Sequence, residues 1–156
     1  MYANTTAALM QKTGQRLYTI GEAADLIGVS VPTIRMYERE GLIIPLRKAS
    51  RHRLFAEQDL KRIRLLRTSI NADKVSIAEL RRMMAQIPCW KIMNCPDAAW
   101  KECGARTDAA SPCWLASHKS WQCKSDDCRE CRVYVDSEDA HRIQETIRVY
   151  AGEYTP

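Results

Sequence analysis

The chain has 156 residues, of which 46% are hydrophobic and 28% charged, ordinary values for a globular protein of one domain or two small ones. No apolar stretch approaches the roughly 18 residues that span a bilayer. The opening MYANTTAALMQKTGQR has no basic start followed by an apolar run, so no secretory signal is read, and a cytoplasmic protein without membrane partners is expected. Charge is divided unevenly: residues 1–88 carry 15 Lys/Arg against 8 Asp/Glu, net +7, while residues 89–156 carry 9 against 11, net −2. All seven cysteines and all four tryptophans lie in the second part. The change falls at Ile87-Pro88-Cys89. The expected order is a short disordered tail over 1–16, a basic helical module over 17–88, a thiol-rich module over 89–134 and a C-terminal helix and tail over 135–156.

In chain order, the first helix follows Thr19, where TIGE sets Glu22 three residues after a hydroxyl, the capping-box spacing. Ile20, Ala23 and Leu26 share a face, and Gly28 supplies a stop. Ser30 is the N-cap of a second helix, with Pro32 tolerated in its first turn, and Gly41 ends it. Only Gly28-Val29-Ser30 joins the two helices, the connection length of a helix-turn-helix. Then LIIPLRKASRHRLF becomes extended, and Pro45 forbids a continuing helix. Its polar tip between Ile43-Ile44 and Leu54-Phe55 reads as a two-stranded wing. From Gly41 to Ala56 there is no acidic residue, while Arg47, Lys48, Arg51, His52 and Arg53 crowd together. Such a run repels itself unless it meets an anion. A third helix over about 57–70 carries Leu60, Ile63, Leu66 and Ile70. A fourth follows Ser76, where SIAE repeats the capping box, and Pro88 ends it.

These residues carry a resemblance. TIGEAADLIGVSVPTIRMYEREGLI and PLRKASRHRLFAEQDLKRIRLL resemble the DNA-binding domain of the MerR family of bacterial transcription regulators, over about residues 17–87, with Val31–Ile43 the most specific stretch. The fold implied is mainly α, a winged helix-turn-helix of four helices and a small wing. The resemblance implies a recognition helix carrying Ser30, Thr33, Arg35 and Tyr37 to the major groove and flanking phosphates. It also implies a wing whose Arg47, Lys48, Arg51, His52 and Arg53 lie against the backbone. Independently, clustered arginines bind phosphate by releasing counterions, and a helix fits the major groove. The implied partners are double-stranded promoter DNA, a second copy of the chain and RNA polymerase. Three positions depart from the family pattern. Met36 stands where an aromatic is usual, Ala56 occupies the expected N-cap of the third helix, and Pro88-Cys89 replaces a long dimerisation helix. Asp136–Tyr150, with Ala140, Ile143, Ile147 and Tyr150 in a stripe, is the remaining helix candidate.

The thiol-rich stretch is too poor in aliphatics to hold a core: Ile92, Met93 and Leu115 are nearly all it has over 89–131. It needs a staple. In a reducing cytosol an odd set of seven cysteines reads as a metal centre rather than a disulfide framework. Cys123, Cys128 and Cys131 follow the C-x4-C-x2-C interval of plant-type ferredoxin ligation, with Cys113 as fourth ligand and Cys89, Cys95 and Cys103 as further candidates. Zinc modules usually pair two short knuckles, and only one is present, so an iron–sulfur cluster is preferred and zinc is the alternative. CWKIMNCP, Cys113-Trp114 and CKSDDCRECRVY are also similar to a small bacterial module with two Cys-Trp dipeptides, a two-CW domain, over about 89–134. That likeness implies paired tryptophans walling off a thiol-bound centre.

Together the halves read as a one-component regulator whose cysteine cluster reports redox state, metal or a reactive small molecule. One alternative is a purely structural zinc module. Another is a thiol oxidoreductase using Cys128 and Cys131, although no strand–helix unit of the thioredoxin kind surrounds them. No Gly-rich phosphate loop, HExxH or recognisable triad appears, so an enzyme is not expected.

Overall fold

The computed structural model describes residues 16–47, 50–116, 119–123 and 127–152. The expected tail therefore lies outside the described residues except for Arg16. The chain divides into two compact units, one running through Leu65 and the other beginning at Leu66.

The first unit opens with strand β1 (Leu17–Thr19), helix α1 (Ile20–Ile27) and helix α2 (Val31–Arg39). Strands β2 (Leu46–Arg47) and β3 (Arg53–Ala56) then lead into helix α3 (Glu57–Asn71), which crosses the division. The start of α1 is a reciprocal capping box. The Glu22 N–H donates to Thr19 Oγ1 at 3.3 Å, and the Thr19 N–H donates to the Glu22 carboxylate at 2.7 Å. Gly28, at φ 73°, ends α1 in the left-handed conformation that glycine adopts without steric cost. Ser30 caps α2 by accepting the Thr33 N–H at 3.2 Å. The wing is part of a larger sheet than its sequence suggests. The three strands are antiparallel in the order β1-β3-β2, with Tyr18 opposite Phe55 and Leu46 opposite Leu54. Leu17, Leu54 and Ala56 form an apolar cluster with Leu46 against it. Phe55, on the alternate face of β3, is wholly buried. α1 packs on β1, β3 and α2.

Ala56 precedes α3 without a capping oxygen of its own. The Asp59 carboxylate, from inside the first turn, accepts the Ala56 N–H at 2.8 Å and supplies half of a capping box. Arg62, itself buried, donates its Nε–H to the Leu42 carbonyl at 2.8 Å. A charged donor spent on a backbone acceptor in this way fixes the helix against the chain that leaves α2.

The second unit contains α4 (Ile77–Ala85), α5 (Cys89–Ile92), α6 (Asp97–Lys101), 3-10 turns at Gly104–Arg106 and Cys113–Leu115, α7 (Arg132–Val135) and α8 (Ala140–Ala151). Ser76 and Glu79 form the second capping box, at 3.1 and 3.3 Å. The C-terminal helix starts with the first residue of the apolar stripe, Ala140, and not at the expected Asp136. Asp139 is its N-cap and accepts the Arg142 N–H at 2.7 Å. Ala140 and Ile143 are buried, Ile147 and Tyr150 half-buried, and α8 packs against α4. Among the described residues of 89–131 only Ala99, Pro112, Trp114 and Ser120 are buried, which leaves that stretch without an aliphatic core. No helix among the described residues is long and apolar enough to cross a membrane.

The first turn of α8 is anchored by a buried bond from the Ala140 N–H to Ser69 Oγ, at 3.1 Å. Ser69→Ala removes the acceptor and leaves a buried donor unmet, so the variant is expected to lose about 1–3 kcal/mol of stability in urea unfolding. Ser69→Thr, which keeps the oxygen, is expected to lose less.

Candidate functional site

Two groups of side chains stand out, one on each unit. On the first, Arg35 and Arg39 are exposed on α2, while Thr33 is half-buried and Ser30 is engaged in capping and bonded to the Thr33 hydroxyl at 2.8 Å. Tyr37 is 4% exposed and belongs to the core side of the helix. In the wing Arg47, Arg51 and His52 are exposed and Arg53 is half-buried; Lys48 lies outside the described residues. Arg51 sits at φ 62°, a left-handed conformation that costs a non-glycine residue about 1–2 kcal/mol. His52 Nδ1 shares a hydrogen bond with Ser50 Oγ at 2.8 Å.

The wing has an acidic partner that its own segment lacks. Glu38 of α2 accepts the Arg47 Nη2–H at 2.6 Å on one carboxylate oxygen and the Arg53 Nε–H on the other. Such pairs near the surface add little stability by themselves. Their effect is to tie α2 to both wing strands and to neutralise part of the basic run. The partners lie 9 and 15 residues from Glu38, so nothing local in the sequence announces the contact.

On the second unit, all seven cysteines line one cavity of about 40 Å3. That is several times the ~10–15 Å3 one water requires. Cys89 comes from α5, Cys113 from its 3-10 turn and Cys131 from the N-cap of α7; the other four lie on the connecting loops. α5 packs against α7. All seven are free thiols. The rest of the described wall is apolar (Met93, Trp100, Trp114, Val133 and Tyr134 among it) except for Lys119 and Ser120. Trp90 stacks on Trp100 at 4.5 Å between centroids, and Trp114 meets Tyr134 edge to face at 5.1 Å. The two Cys-Trp tryptophans therefore each take a different aromatic partner. His118 lies outside the described residues.

The sulfurs interact. The Cys113 thiol hydrogen-bonds the Cys89 sulfur, which holds Cys89 below the ordinary thiol range and pushes Cys113 up, burial adding to the latter. Burial raises Cys95, and burial with the neighbouring Cys95 and Cys131 sulfurs lifts Cys123 to about 11. Cys131 Sγ donates to Met93 Sδ at 3.5 Å. Lys119 Nζ donates to Cys128 Sγ at 3.0 Å. Burial draws the Lys119 ammonium down, but that bond and the surrounding sulfurs outweigh it and hold the group above its usual range. Ser120 Oγ is buried with no hydrogen-bond partner among the described residues.

The donor chemistry fits a thiophilic metal or cluster: sulfur on all sides, with no carboxylate or imidazole in the described wall. The spacing is looser, because among the described residues no three His, Cys, Asp or Glu side chains converge closely enough to hold an ion. Taking one requires the sulfurs to draw inward. The sequence points to the thiols through their spacing, whereas Met93, Lys119 and Ser120 join the wall without any recognisable motif.

A helix-turn-helix followed by a sheet-anchored basic wing defines the first unit as a winged helix-turn-helix domain. The model of MerR HTH family regulatory proteins matches residues 18–87, and this segment is a MerR-family domain. Curated relatives align over stretches of similar length. A probable heavy metal-dependent transcriptional regulator of Haemophilus influenzae is 40% identical over 67 residues, 42% of this chain and 52% of the relative. A putative heat shock protein HspR of Streptomyces coelicolor is 31% identical over 68 residues, 44% and 45% of the two chains. The HTH-type transcriptional regulator MlrA of Escherichia coli K12 is 36% identical over 70 residues, 44% and 28%. The chain thus spans about half the length, or less, of these relatives. No solved structure matches it.

Proposed function

We propose that this chain is a cytoplasmic transcription regulator that binds promoter DNA as a homodimer and acts on RNA polymerase there. In this reading its thiol cavity takes a metal centre, an iron–sulfur cluster in preference to zinc. The working parts are a DNA-binding module over 17–88, a metal module over 89–134 and a C-terminal helix beyond it. The observation that carries the reading is the convergence of seven thiols, drawn from 43 residues with almost no aliphatic core, onto one cavity. A module so built gains its fold from the metal it binds. Oxidation, nitrosylation or loss of that centre then changes the state of the module, and the signal passes to the DNA-bound helix-turn-helix. The relative named as heavy metal-dependent supports a metal role, and the ferredoxin-type interval supports iron–sulfur.

The test is anaerobic purification with iron, sulfide and zinc analysis, followed by titration of promoter DNA with the centre loaded or removed. Brown protein with near-stoichiometric sulfide is expected; colourless protein with one zinc reverses the preference. Identical DNA affinity and distortion in both forms removes the sensing function.

On the DNA side, Arg35→Ala is expected to weaken specific binding by about 1–3 kcal/mol and to relax discrimination at one base position. Arg51→Ala is expected to weaken binding uniformly and to reduce the slope of log K against log salt by about 1. Fluorescence anisotropy over a salt series separates the two outcomes.

A further inference from the structure

We propose that Lys119 and Ser120 are the hydrogen-bond donors of the thiol cavity, placed to bond the sulfur of a bound metal centre and to offset its negative charge. This rests on the metal-centre reading above. A divalent ion held by about four thiolates leaves a net charge near −2, which an apolar wall does not solvate. Lys119 is the cation of the described wall, and its ammonium is already bonded to a candidate ligand, Cys128 Sγ, at 3.0 Å. Ser120 is 3% exposed and lines the same cavity, and its Oγ has no partner among the described residues. A buried hydroxyl without an acceptor is unusual, and thiolate or sulfide sulfur is the acceptor this cavity offers. The two residues are adjacent in sequence and approach the sulfurs from one segment. They are positioning residues: they act on the metal through its ligands, as outer-shell donors do.

Lys119→Met is therefore expected to weaken zinc affinity of the full chain by about 10–100-fold in chelator competition under argon. Lys119→Arg, which keeps both charge and donor, is expected to recover most of that loss. Ser120→Ala is expected to change affinity in the same direction. Cobalt(II) in place of zinc gives a readout that a merely structural role does not move. A hydrogen bond stabilises the sulfur lone pair, so its removal in Lys119→Met shifts the sulfur-to-cobalt charge-transfer band to lower energy. Circular dichroism checks that replacing the half-buried Lys119 and the buried Ser120 leaves folding intact. Unchanged affinity in Lys119→Met and Ser120→Ala overturns the assignment, and so does a loss of affinity with no band shift. Failure of the wild-type chain to take up zinc, cobalt or iron is a different result, and it sinks the metal-centre reading itself.

Discussion

Phe55→Ala is expected to lower the unfolding free energy of the first unit by about 3–5 kcal/mol, the range for deleting a fully buried aromatic side chain. Phe55 is the only phenylalanine of the chain and sits on the central strand, with β1 on one side and β2 on the other. Leu54 and Ala56 on the same strand are also buried, so both faces of β3 are covered and the cavity left by alanine has little freedom to collapse. Small domains sit near the low end of about 5–15 kcal/mol in total, so the variant is expected to be largely unfolded near 37 °C and to lose DNA binding with it. Phe55→Leu is expected to cost less. All four tryptophans lie beyond residue 88, so their fluorescence does not report on this unit. Amide hydrogen exchange resolves it instead. Wild-type protection of β3 in Phe55→Ala contradicts the packing described.

The second large effect concerns the thiols. Cys123→Ser combined with Cys131→Ser replaces two soft donors of one cavity with hydroxyls, which bind thiophilic metals poorly. The double variant is expected to purify without metal. Metal-binding energy is folding energy in such a module, so residues 89–134 are expected to lose ordered structure while 18–87 keep theirs. Single serine variants at all seven cysteines extend the test. About four are expected to abolish metal binding, because four thiolates complete a tetrahedral zinc or an iron–sulfur cluster. The remainder are expected to keep it. Seven variants that all retain full metal contradict the assignment.

Local chemistry made much of the front unit legible. Both capping boxes, the Ser30 cap and the glycine stops at 28 and 41 act over three or four residues, and a periodic apolar face completes each helix. Contacts made across the chain were not legible. β1 is three residues long, and its partners lie nearly forty positions away. Glu38 meets two wing arginines only once α2 and the wing have folded, and the missing cap at Ala56 is supplied from Asp59. Tyr37 shares the Ile34 face by helical spacing, which leaves core and groove equally open in sequence, and its burial assigns it to the core. In the thiol stretch, the spacing of Cys123, Cys128 and Cys131 suggested ligation, but no interval shows that Cys89 and Cys113 are hydrogen-bonded or that Lys119 reaches Cys128. Without an apolar core, the arrangement of that stretch depends on side-chain chemistry that periodicity does not encode.

The most direct measurement is a two-dimensional amide NMR spectrum of the chain, isolated without air, before and after a strong chelator removes bound metal. The expected result is dispersed peaks throughout at first, then collapse of those from 89–134 while those from 18–87 persist. Sharp, dispersed signals from the cysteine-bearing region in protein shown by elemental analysis to carry no iron or zinc would contradict a metal-built module.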